Sequence, residues 1–330
     1  MKMLFSFFAV IFLALLGFAG GKSASLQFIF GVVIPYAAVA TFILGVIYRV
    51  ADWARSPVPF RIPTTCGQQE SLSWIKQDKI ENPSTSLGVW ARMALEVLLF
   101  RSLFRNTKME LREGPKISYG SDKWLWLAGL AFHWSFLIIL IRHLRFFSEG
   151  VPLIIGITES LDSFLQVGVP LFYLTDAILL AAVTFLFLRR VFIPQVKYIS
   201  QAADYFPLFL ILGIAISGVL MRYFLKVHIV GVKEMAMGLV TFHPVVSEGI
   251  GVIFYIHLFL ISVLLMYFPF SKLMHLGGVF LSPTRNLANN SRMVRHINPW
   301  NYPVHVHTYD EYEEDFREKM KSAGIPVEKE

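Results

Sequence analysis

Residues 127–147 read LAGLAFHWSFLIILIRHLRFF, a run that is apolar and long enough to cross a membrane but contains His133 and His143. A spanning helix needs roughly 20 apolar residues. A second such run, IHLFLISVLLMYFPFSKLMHLGG at 256–278, contains two more histidines. An imidazole is costly in lipid unless it is paired or bound to a metal. Four imidazoles on two apolar segments therefore need a common cause.

The composition is that of an integral membrane protein. Of 330 residues, 55% are hydrophobic and 16% are charged, whereas soluble domains are about 45–50% apolar. The single cysteine, Cys66, excludes a disulfide within the chain and a cluster held by four thiolates of this chain. The sequence has no C-x-x-C-H motif for c-type haem. A redox centre would therefore use histidine, methionine or a non-covalent cofactor.

Six segments are long enough to span, so we predict an all-α integral membrane bundle. They are 3–20, 26–49, 124–147, 165–188, 204–225 and 249–270. We predict that the first is a retained helix, and a signal peptide is the alternative. The shorter run GVWARMALEVLLF at 88–100, interrupted by Arg92 and Glu96, predicts an amphipathic helix on the membrane surface.

Charge between the spans predicts the orientation. The net charge is +7, and its grouping between apolar segments indicates topology rather than nucleic-acid binding. Segment 50–123 and the loop after the fourth span are rich in Lys and Arg. The charged side chains of 148–163, in contrast, are all carboxylates. Both termini are therefore predicted to be cytoplasmic, in a multi-pass protein of the inner membrane. The loop after the fifth span departs from this rule, since it would lie outside with Arg222, Lys226 and Lys233.

Haem b would account for the four histidines, because its iron takes two axial imidazoles and two helices can offer one each. At about 100° per residue, His133 and His143 lie within a quadrant, and His257 and His275 share a face. The third and sixth helices are predicted to be antiparallel, which places His143 with His257 near the outer face and the other two nearer the cytoplasm. Two stacked haems follow, with Pro269 kinking or ending the sixth helix.

The histidines and the charges near them also allow alternative roles. Buried histidines can simply hydrogen-bond between helices. A proton-relay transporter would show inverted repeats or paired broken helices, which the sequence lacks. A haem-free membrane anchor would leave the histidines without a role. Arg142 and Arg145 either neutralise haem propionates or snorkel to the interface. Asp176 in YLTDAILL is either functional or a helix-to-helix hydrogen-bond partner. In the tail, His305 and His307 could chelate a metal but lack carboxylate or thiol company.

Two resemblances accompany these residues. The histidine spacing of ten and eighteen resembles the cytochrome b (gamma) subunit of respiratory nitrate reductase over about 122–280. That resemblance implies the ligand pairs His143 with His257 for the outer haem and His133 with His275 for the inner haem, which agrees with the pairing from topology.

The tail RHINPWNYPVHVHTYDEYEEDFREKMKSAGIPVE at 295–328, together with the 50–120 loop, resembles the DsrM family. This is the membrane cytochrome b of the DsrMKJOP complex of dissimilatory sulfite reduction. The cytochrome b of methanogen heterodisulfide reductase is a weaker match. The resemblance implies an electron-transfer subunit of a quinone:thiol/disulfide oxidoreductase complex, which is not an enzyme on its own.

The same resemblance implies two haem b and menaquinone as redox substrate. It implies electron exchange with DsrK, a cytoplasmic iron–sulfur subunit that resembles the catalytic subunit of heterodisulfide reductase. DsrJ, DsrO and DsrP are the remaining implied subunits, and DsrC is the sulfur carrier on which the complex acts. The residues of the quinone site and the direction of electron flow are not readable from the sequence.

The predicted organisation has four regions. In chain order they are two N-terminal transmembrane helices (1–50), a basic cytoplasmic loop with the amphipathic helix (51–121), a four-helix dihaem cytochrome b domain of nitrate reductase gamma type (122–280) and a cytoplasmic tail (281–330). A short helix is expected near 309–322.

Overall fold

The computed structural model is mostly helical. It describes residues 1–56, 67–114, 116–163, 171–293 and 305–329. Cys66, His296 and the first residues of the predicted fourth span lie outside these described residues. The described residues also form one exposed antiparallel hairpin, made of strands β1 (Thr107–Arg112) and β2 (Lys116–Ser121).

The described residues form fourteen α-helices. They are α1 (Lys2–Lys22), α2 (Ala24–Phe28), α3 (Ile34–Arg55), α4 (Ser86–Leu99), α5 (Arg101–Phe104), α6 (Lys123–His143), α7 (Leu153–Asp162), α8 (Leu174–Phe192), α9 (Pro194–Ile199), α10 (Ala202–Val219), α11 (Ile229–Val240), α12 (Val252–Tyr267), α13 (His275–Leu281) and α14 (Tyr309–Ser322). Two π-helical segments follow α2 and α10, namely Ile29–Val33 and Leu220–Leu225. Three 3₁₀ segments are Leu144–Phe147, Phe268–Phe270 and Lys272–Met274.

Five helical stretches are long and apolar enough to cross a membrane, so the chain is a multi-pass membrane protein. They are Lys2–Lys22, Ala24–Arg55, Lys123–Phe147, Ala202–Leu225 and Val252–Phe270. They correspond to five of the six predicted spans. The helix at the remaining one, α8, is not among the five found in the described part of the chain, and it carries Asp176 in its first turn and Arg189 and Arg190 in its last. The count of six stays a prediction.

Helix α12 lies at the centre of the bundle. It packs against α1, α3 and α10, while α6 packs against α8. A core of Val10, Leu210 and Leu260 joins α1, α10 and α12. At Gly17 a Cβ atom would lie 3.0 Å from the Cα atom of Ile256. A small residue there lets the backbones of α1 and α12 approach closely, as is usual between membrane helices.

The predicted break before His275 is present. Helix α12 ends at Tyr267, and Pro269 lies in a 3₁₀ turn that separates it from α13, whose first residue is His275. Proline cannot donate the backbone hydrogen bond that would continue the helix, and its ring clashes with the preceding turn. The chain therefore leaves the axis of α12 before it delivers His275.

A helix, α4, is present at the predicted amphipathic segment, and its place on the membrane surface stays a prediction. It is capped by Thr85, whose side-chain oxygen accepts from the Gly88 N–H at 3.2 Å. Leu87 and Trp90 are 81% and 75% exposed, which gives the helix an apolar outer side. Arg92 differs from the expectation of a surface charge, because it is only 6% exposed. It faces inward, toward the chain that follows the last membrane helix.

Arg92 joins the loop after α3 to the tail. Its guanidinium donates to the carbonyl oxygens of Glu81 at 3.0 Å and Leu287 at 3.1 Å, and also to that of Arg285. The Asn289 N–H donates to the Pro83 carbonyl at 2.7 Å. These bonds tie residues 67–106 to residues 282–293, and we call the two segments together the loop–tail platform.

The tail helix expected near 309–322 is confirmed as α14. Thr308 and Glu311 form a capping box at its first turn. The buried Glu313 carboxylate accepts the backbone N–H groups of Glu328 and Lys329 at 2.8 and 2.9 Å. Those two hydrogen bonds hold the pKa of Glu313 below its usual value, because they favour the charged form.

Replacing Arg92 with Met should loosen the loop–tail platform. Three carbonyl oxygens would lose a charged donor, and hydrogen bonds to charged groups contribute roughly 1.5–3 kcal/mol each. We expect limited trypsin digestion to cut 282–293 several-fold faster than in the unchanged protein. Arg112→Met, on the exposed strand β1, is the matched control and should leave the rate unchanged. Equal digestion of both variants would contradict the tie.

Candidate haem site

The structure brings the four membrane histidines together as two pairs. The ring centroids of His143 and His257 are 6.4 Å apart with planes at 18°. Those of His133 and His275 are 5.9 Å apart with planes at 82°. These are the two pairs that the sequence predicted, and each joins α6 to α12 or to the start of α13. Their role as metal ligands is a separate matter.

The two histidines of α6 are oriented by their own helix. His133 Nδ1 lies 2.7 Å from the Gly129 carbonyl oxygen, and His143 Nδ1 lies 2.7 Å from that of Ile139. A ring nitrogen that faces a carbonyl oxygen carries the proton, because the carbonyl can only accept. Nε2 of each neutral ring therefore keeps its lone pair for another partner.

The partner histidines are also held through Nδ1, His275 by a nearby carbonyl and His257 by a side chain of another helix. His275 Nδ1 lies 2.9 Å from the Lys272 carbonyl oxygen. His257 Nδ1 lies 2.8 Å from Ser217 Oγ, and that hydroxyl donates to the Ile214 carbonyl at 2.9 Å. Ser217 is thus free to accept from His257. All four rings then present Nε2, the arrangement that orients histidine ligands of metals.

The spacing of the pairs fits two imidazoles on one metal. Metal–imidazole nitrogen bonds are about 2 Å long, so two rings on opposite sides of one iron have centroids about 6 Å apart. A small residue packs against one of the rings, since a Cβ atom at Gly218 would lie 3.3 Å from His257 Cε1. The alternative of hydrogen bonds between helices is met only by His257 with Ser217, among the contacts of the described residues. The residues present therefore fit bis-imidazole ligation.

The two pairs have different surroundings. His257 is 8% exposed, whereas His275 is exposed at the start of α13. Phe100 and Phe132 both lie edge-on to His133, with centroids 4.9 Å away. Phe100 terminates α4 in a left-handed conformation with φ 50°. The loop–tail platform therefore reaches the His133–His275 pair directly.

Arg142 lies in a buried ion-pair cluster. Its Nε lies 3.2 Å from Asp162 Oδ2, and its Nη2 lies 2.6 Å from Asp176 Oδ1. Thr175 donates its hydroxyl to Asp162 Oδ2 at 2.6 Å. The guanidinium also stacks on the Tyr173 ring at 3.8 Å. Of the two roles considered for Asp176, this geometry favours the contact between helices, because the carboxylate links α8 to α6.

Arg145 also forms an ion pair with a carboxylate of α7, but with one partner and more exposure. Its Nη1 lies 2.8 Å from Glu159 Oε1, and its side chain remains 38% exposed. Both residues predicted to contact haem propionates are therefore paired with carboxylates of this chain. Arg142 is enclosed by its partners, and Arg145 keeps part of its guanidinium accessible. A propionate role stays a prediction for both.

A carboxylate lies close to the tail histidines His305 and His307. The ligand atoms of His305, His307 and Glu311 lie within 4.8 Å of one another, and all three residues are exposed. The expectation that these histidines lack carboxylate company is therefore wrong, because the first turn of α14 brings Glu311 back toward them. Glu311 Oε2 already accepts the Thr308 N–H at 2.9 Å, so this carboxylate serves the helix cap.

Two features of the site had no signal in the sequence. Ser217 contacts His257 across 40 residues of chain, and Asp162 reaches Arg142 from a different helix. A serine in an apolar span is common enough in membrane helices to pass as packing. Only the fold shows that these side chains orient the site.

A multi-pass helical bundle with two facing histidine pairs has the arrangement expected of membrane b-type cytochromes, in which two helices offer the axial imidazoles of each haem. Within that class, residues 84–297 match the model of the nitrate reductase gamma subunit family. The match covers more than half of the chain, and the chain belongs to this family.

Curated relatives agree. A protein of Archaeoglobus fulgidus named "Hdr-like menaquinol oxidoreductase cytochrome b-like subunit" is 48% identical over 279 residues, 82% of this chain and 83% of that protein. A protein of the same name from Archaeoglobus profundus is 43% identical over 274 residues, 81% of each. The respiratory nitrate reductase 1 gamma chain of Escherichia coli is 34% identical over 115 residues, 32% of this chain and 50% of that one. These relatives are consistent with the resemblance to the DsrM family.

Arg142 and Arg145 should differ sharply in their contribution to stability. Arg142→Met leaves the buried Asp162 and the partly buried Asp176 without their cation, which costs on the order of 3–5 kcal/mol. Arg145→Met removes a partly exposed pair, which contributes about 0–1 kcal/mol. Thermal unfolding of the detergent-purified protein measures both. A similar shift in Tm for the two variants would contradict the buried cluster.

Proposed function

We propose that this chain is the dihaem cytochrome b subunit of a membrane-bound menaquinol oxidoreductase complex. The observation that carries the proposal is that the four membrane histidines form two pairs. The ring centroids are 6.4 Å apart in one pair and 5.9 Å apart in the other, and each ring is held through Nδ1. The printed names of the Archaeoglobus relatives support the menaquinol part.

In this proposal His143 and His257 hold the outer iron, and His133 and His275 hold the inner iron. A bound haem supplies reversible one-electron transfer. The chain's own residues fix the four ring orientations through Gly129, Ile139, Ser217 and Lys272. Phenylalanine rings also lie against two of the histidines, Phe100 and Phe132 against His133 and Phe146 against His143.

The partner in this proposal is a cytoplasmic iron–sulfur subunit of the heterodisulfide-reductase type, as DsrK is in the DsrMKJOP complex. The relatives' names contain "Hdr-like", and a chain with one cysteine has no cluster ligands of its own for two-electron thiol chemistry. The loop–tail platform is the docking surface, since its Phe100 contacts His133. DsrJ-, DsrO- and DsrP-like subunits complete the assembly, with DsrC as the indirect partner.

The membrane arrangement belongs to the same proposal. Six spans, with α8 as the fourth, place both termini and the loop–tail platform in the cytoplasm and the chain in the inner membrane. The basic segments before α6 and after α8 support this orientation. The His133–His275 pair then faces the cytoplasmic partner, and the His143–His257 pair faces the opposite side.

Single histidine replacements test the pairing. His143→Ala and His257→Ala should each remove one and the same haem, while His133→Ala and His275→Ala should each remove the second haem. Removing one axial ligand leaves the opposite imidazole without its shared iron. A pyridine haemochrome assay counts the haems, and a redox titration identifies which one is lost.

His243→Ala, an exposed outer-loop change, is the control and should retain two haems. Loss of one common haem from His143→Ala and His275→Ala would show that the pairing is wrong. A folded wild-type protein without haem would overturn the proposed function and favour a haem-free anchor or a proton-relay subunit.

A further inference from the structure

Two histidines and a glutamate converge at the start of the tail helix α14. The ligand atoms of His305, His307 and Glu311 lie within 4.8 Å of one another. The two imidazole rings are 4.8 Å apart between centroids, with their planes at 74°. The cluster is separate from the four membrane histidines, and the proposed haem ligation gives it no role. Two imidazoles and one carboxylate are a common ligand set for divalent transition metals in proteins.

The local sequence HVHTYDE at 305–311 explains why these side chains meet. The chain before α14 is not helical, and side chains two residues apart in an extended chain point to the same side. Thr308, the N-cap of α14, has an extended backbone with φ −71° and ψ 166°. In the capping box that follows, the side chain of Glu311 turns back toward the N-cap. Two local rules therefore bring both imidazoles and the carboxylate to one place.

The capping box also orients the Glu311 carboxylate as a ligand. Its Oε2 accepts the Thr308 N–H at 2.9 Å. Among the contacts of the described residues, its Oε1 accepts no hydrogen bond, so this oxygen can bind a metal while Oε2 serves the cap. Carboxylate ligands of metals are usually held in place by an outer hydrogen bond of this kind.

The distances leave room for an ion between the ligands. His307 Nδ1 lies 3.8 Å from Glu311 Oε2, which is too long for a hydrogen bond. Zinc bonds to imidazole nitrogen and carboxylate oxygen are about 2.0–2.2 Å long, so neighbouring ligand atoms of a tetrahedral site are about 3.3 Å apart. The side chains of His307 and Glu311 are 54% and 47% exposed. Small side-chain rotations can therefore close the remaining gap of about 0.5–1.5 Å.

The charge around the cluster favours a cation. Residues 309–318 contain six carboxylates and one arginine, and clustered negative charge raises the local concentration of cations. Asp310 and Glu311 lie in the first turn of α14, where they oppose the positive end of the helix dipole. The nearby cation Lys329 pairs with Asp310, at 3.8 Å, and not with one of the three ligands.

The alternative is an ordinary helix cap beside two solvated histidines. A capping box needs only Thr308 and Glu311, so it leaves the two imidazoles on one side of the chain without a role. The exposed contact between His307 and Glu311 would contribute little by itself, as exposed ion pairs usually do. A shared ion gives all three side chains a role.

We propose that His305, His307 and Glu311 bind a divalent first-row metal ion of the Zn²⁺ type. Three protein ligands leave a fourth coordination position open, which takes water in the isolated chain. The bound ion links the segment before α14 to the first turn of the helix and so orders this part of the tail. The inference goes beyond the proposed function and does not depend on the haems.

Zinc binding to the purified full-length chain, prepared without a polyhistidine tag, tests the site. Equilibrium dialysis with elemental analysis should find one tightly bound Zn²⁺ per chain. His305→Ala and His307→Ala should each weaken binding by about tenfold or more, since even loss of an outer partner of a metal ligand has that effect. His243→Ala, at an exposed histidine outside the cluster, should leave the Kd unchanged. Haem content should be the same in all variants.

Two charge-matched variants separate metal binding from helix capping. Glu311→Gln keeps the capping box, because glutamine also serves at that position, but it loses the anionic ligand. We expect zinc binding about tenfold weaker, with the helix content unchanged. Glu314→Gln, at an exposed position of the same helix, removes an equal charge and should bind zinc as the wild type does. Zinc-edge X-ray absorption should show two imidazole ligands in the wild type and one in His307→Ala.

Two results would overturn the inference. One is a wild-type chain that binds no Zn²⁺ at micromolar concentration. The other is undiminished binding by His305→Ala and His307→Ala, which would leave a helix cap beside two solvated histidines. Neither result changes the haem count, so the proposed function is decided separately, by the haem assay.

Discussion

The four imidazoles carried by α6, α12 and the start of α13 constrain how these helices pack against one another. Each ring needs one partner for Nδ1 and another for Nε2, because an unsatisfied polar group in lipid costs several kcal/mol. Local carbonyls and Ser217 provide the first. His143 lies against His257 and His133 lies against His275, so a partner shared by the two Nε2 atoms of a pair would lie between α6 and α12 or α13.

The break at Pro269 makes the second pair possible. On one straight helix, His257 and His275 would be about 27 Å apart along the axis, against about 15 Å for the two histidines of α6. Ending α12 at Tyr267 shortens that separation and lets His275 lie beside His133. Packing elsewhere accommodates the break, since the wall of α3 opposite Pro269 is Gly45, where a Cβ atom would overlap the proline ring.

A buried arginine lies at each end of the bundle, and the two arginines have different kinds of partner. At the His143–His257 end, Arg142 is buried between Asp162 and Asp176 and fixes α6 against α7 and α8. At the opposite end, Arg92 is buried among carbonyl oxygens and fixes the loop to the tail. Both cations look like surface or interface charges in the sequence. In the fold they hold the elements on either side of the histidine pairs in register.

The sequence by itself determined the membrane class, five of the spans, the amphipathic and tail helices, the break at Pro269 and the histidine pairs. Length, hydropathy, proline and 3.6-residue periodicity are local properties, so they can be read along the chain. Only the tertiary structure decided that Ser217 orients His257 and that Arg92 and Arg142 face inward. Those contacts join segments distant in sequence, and no periodicity encodes which segments meet.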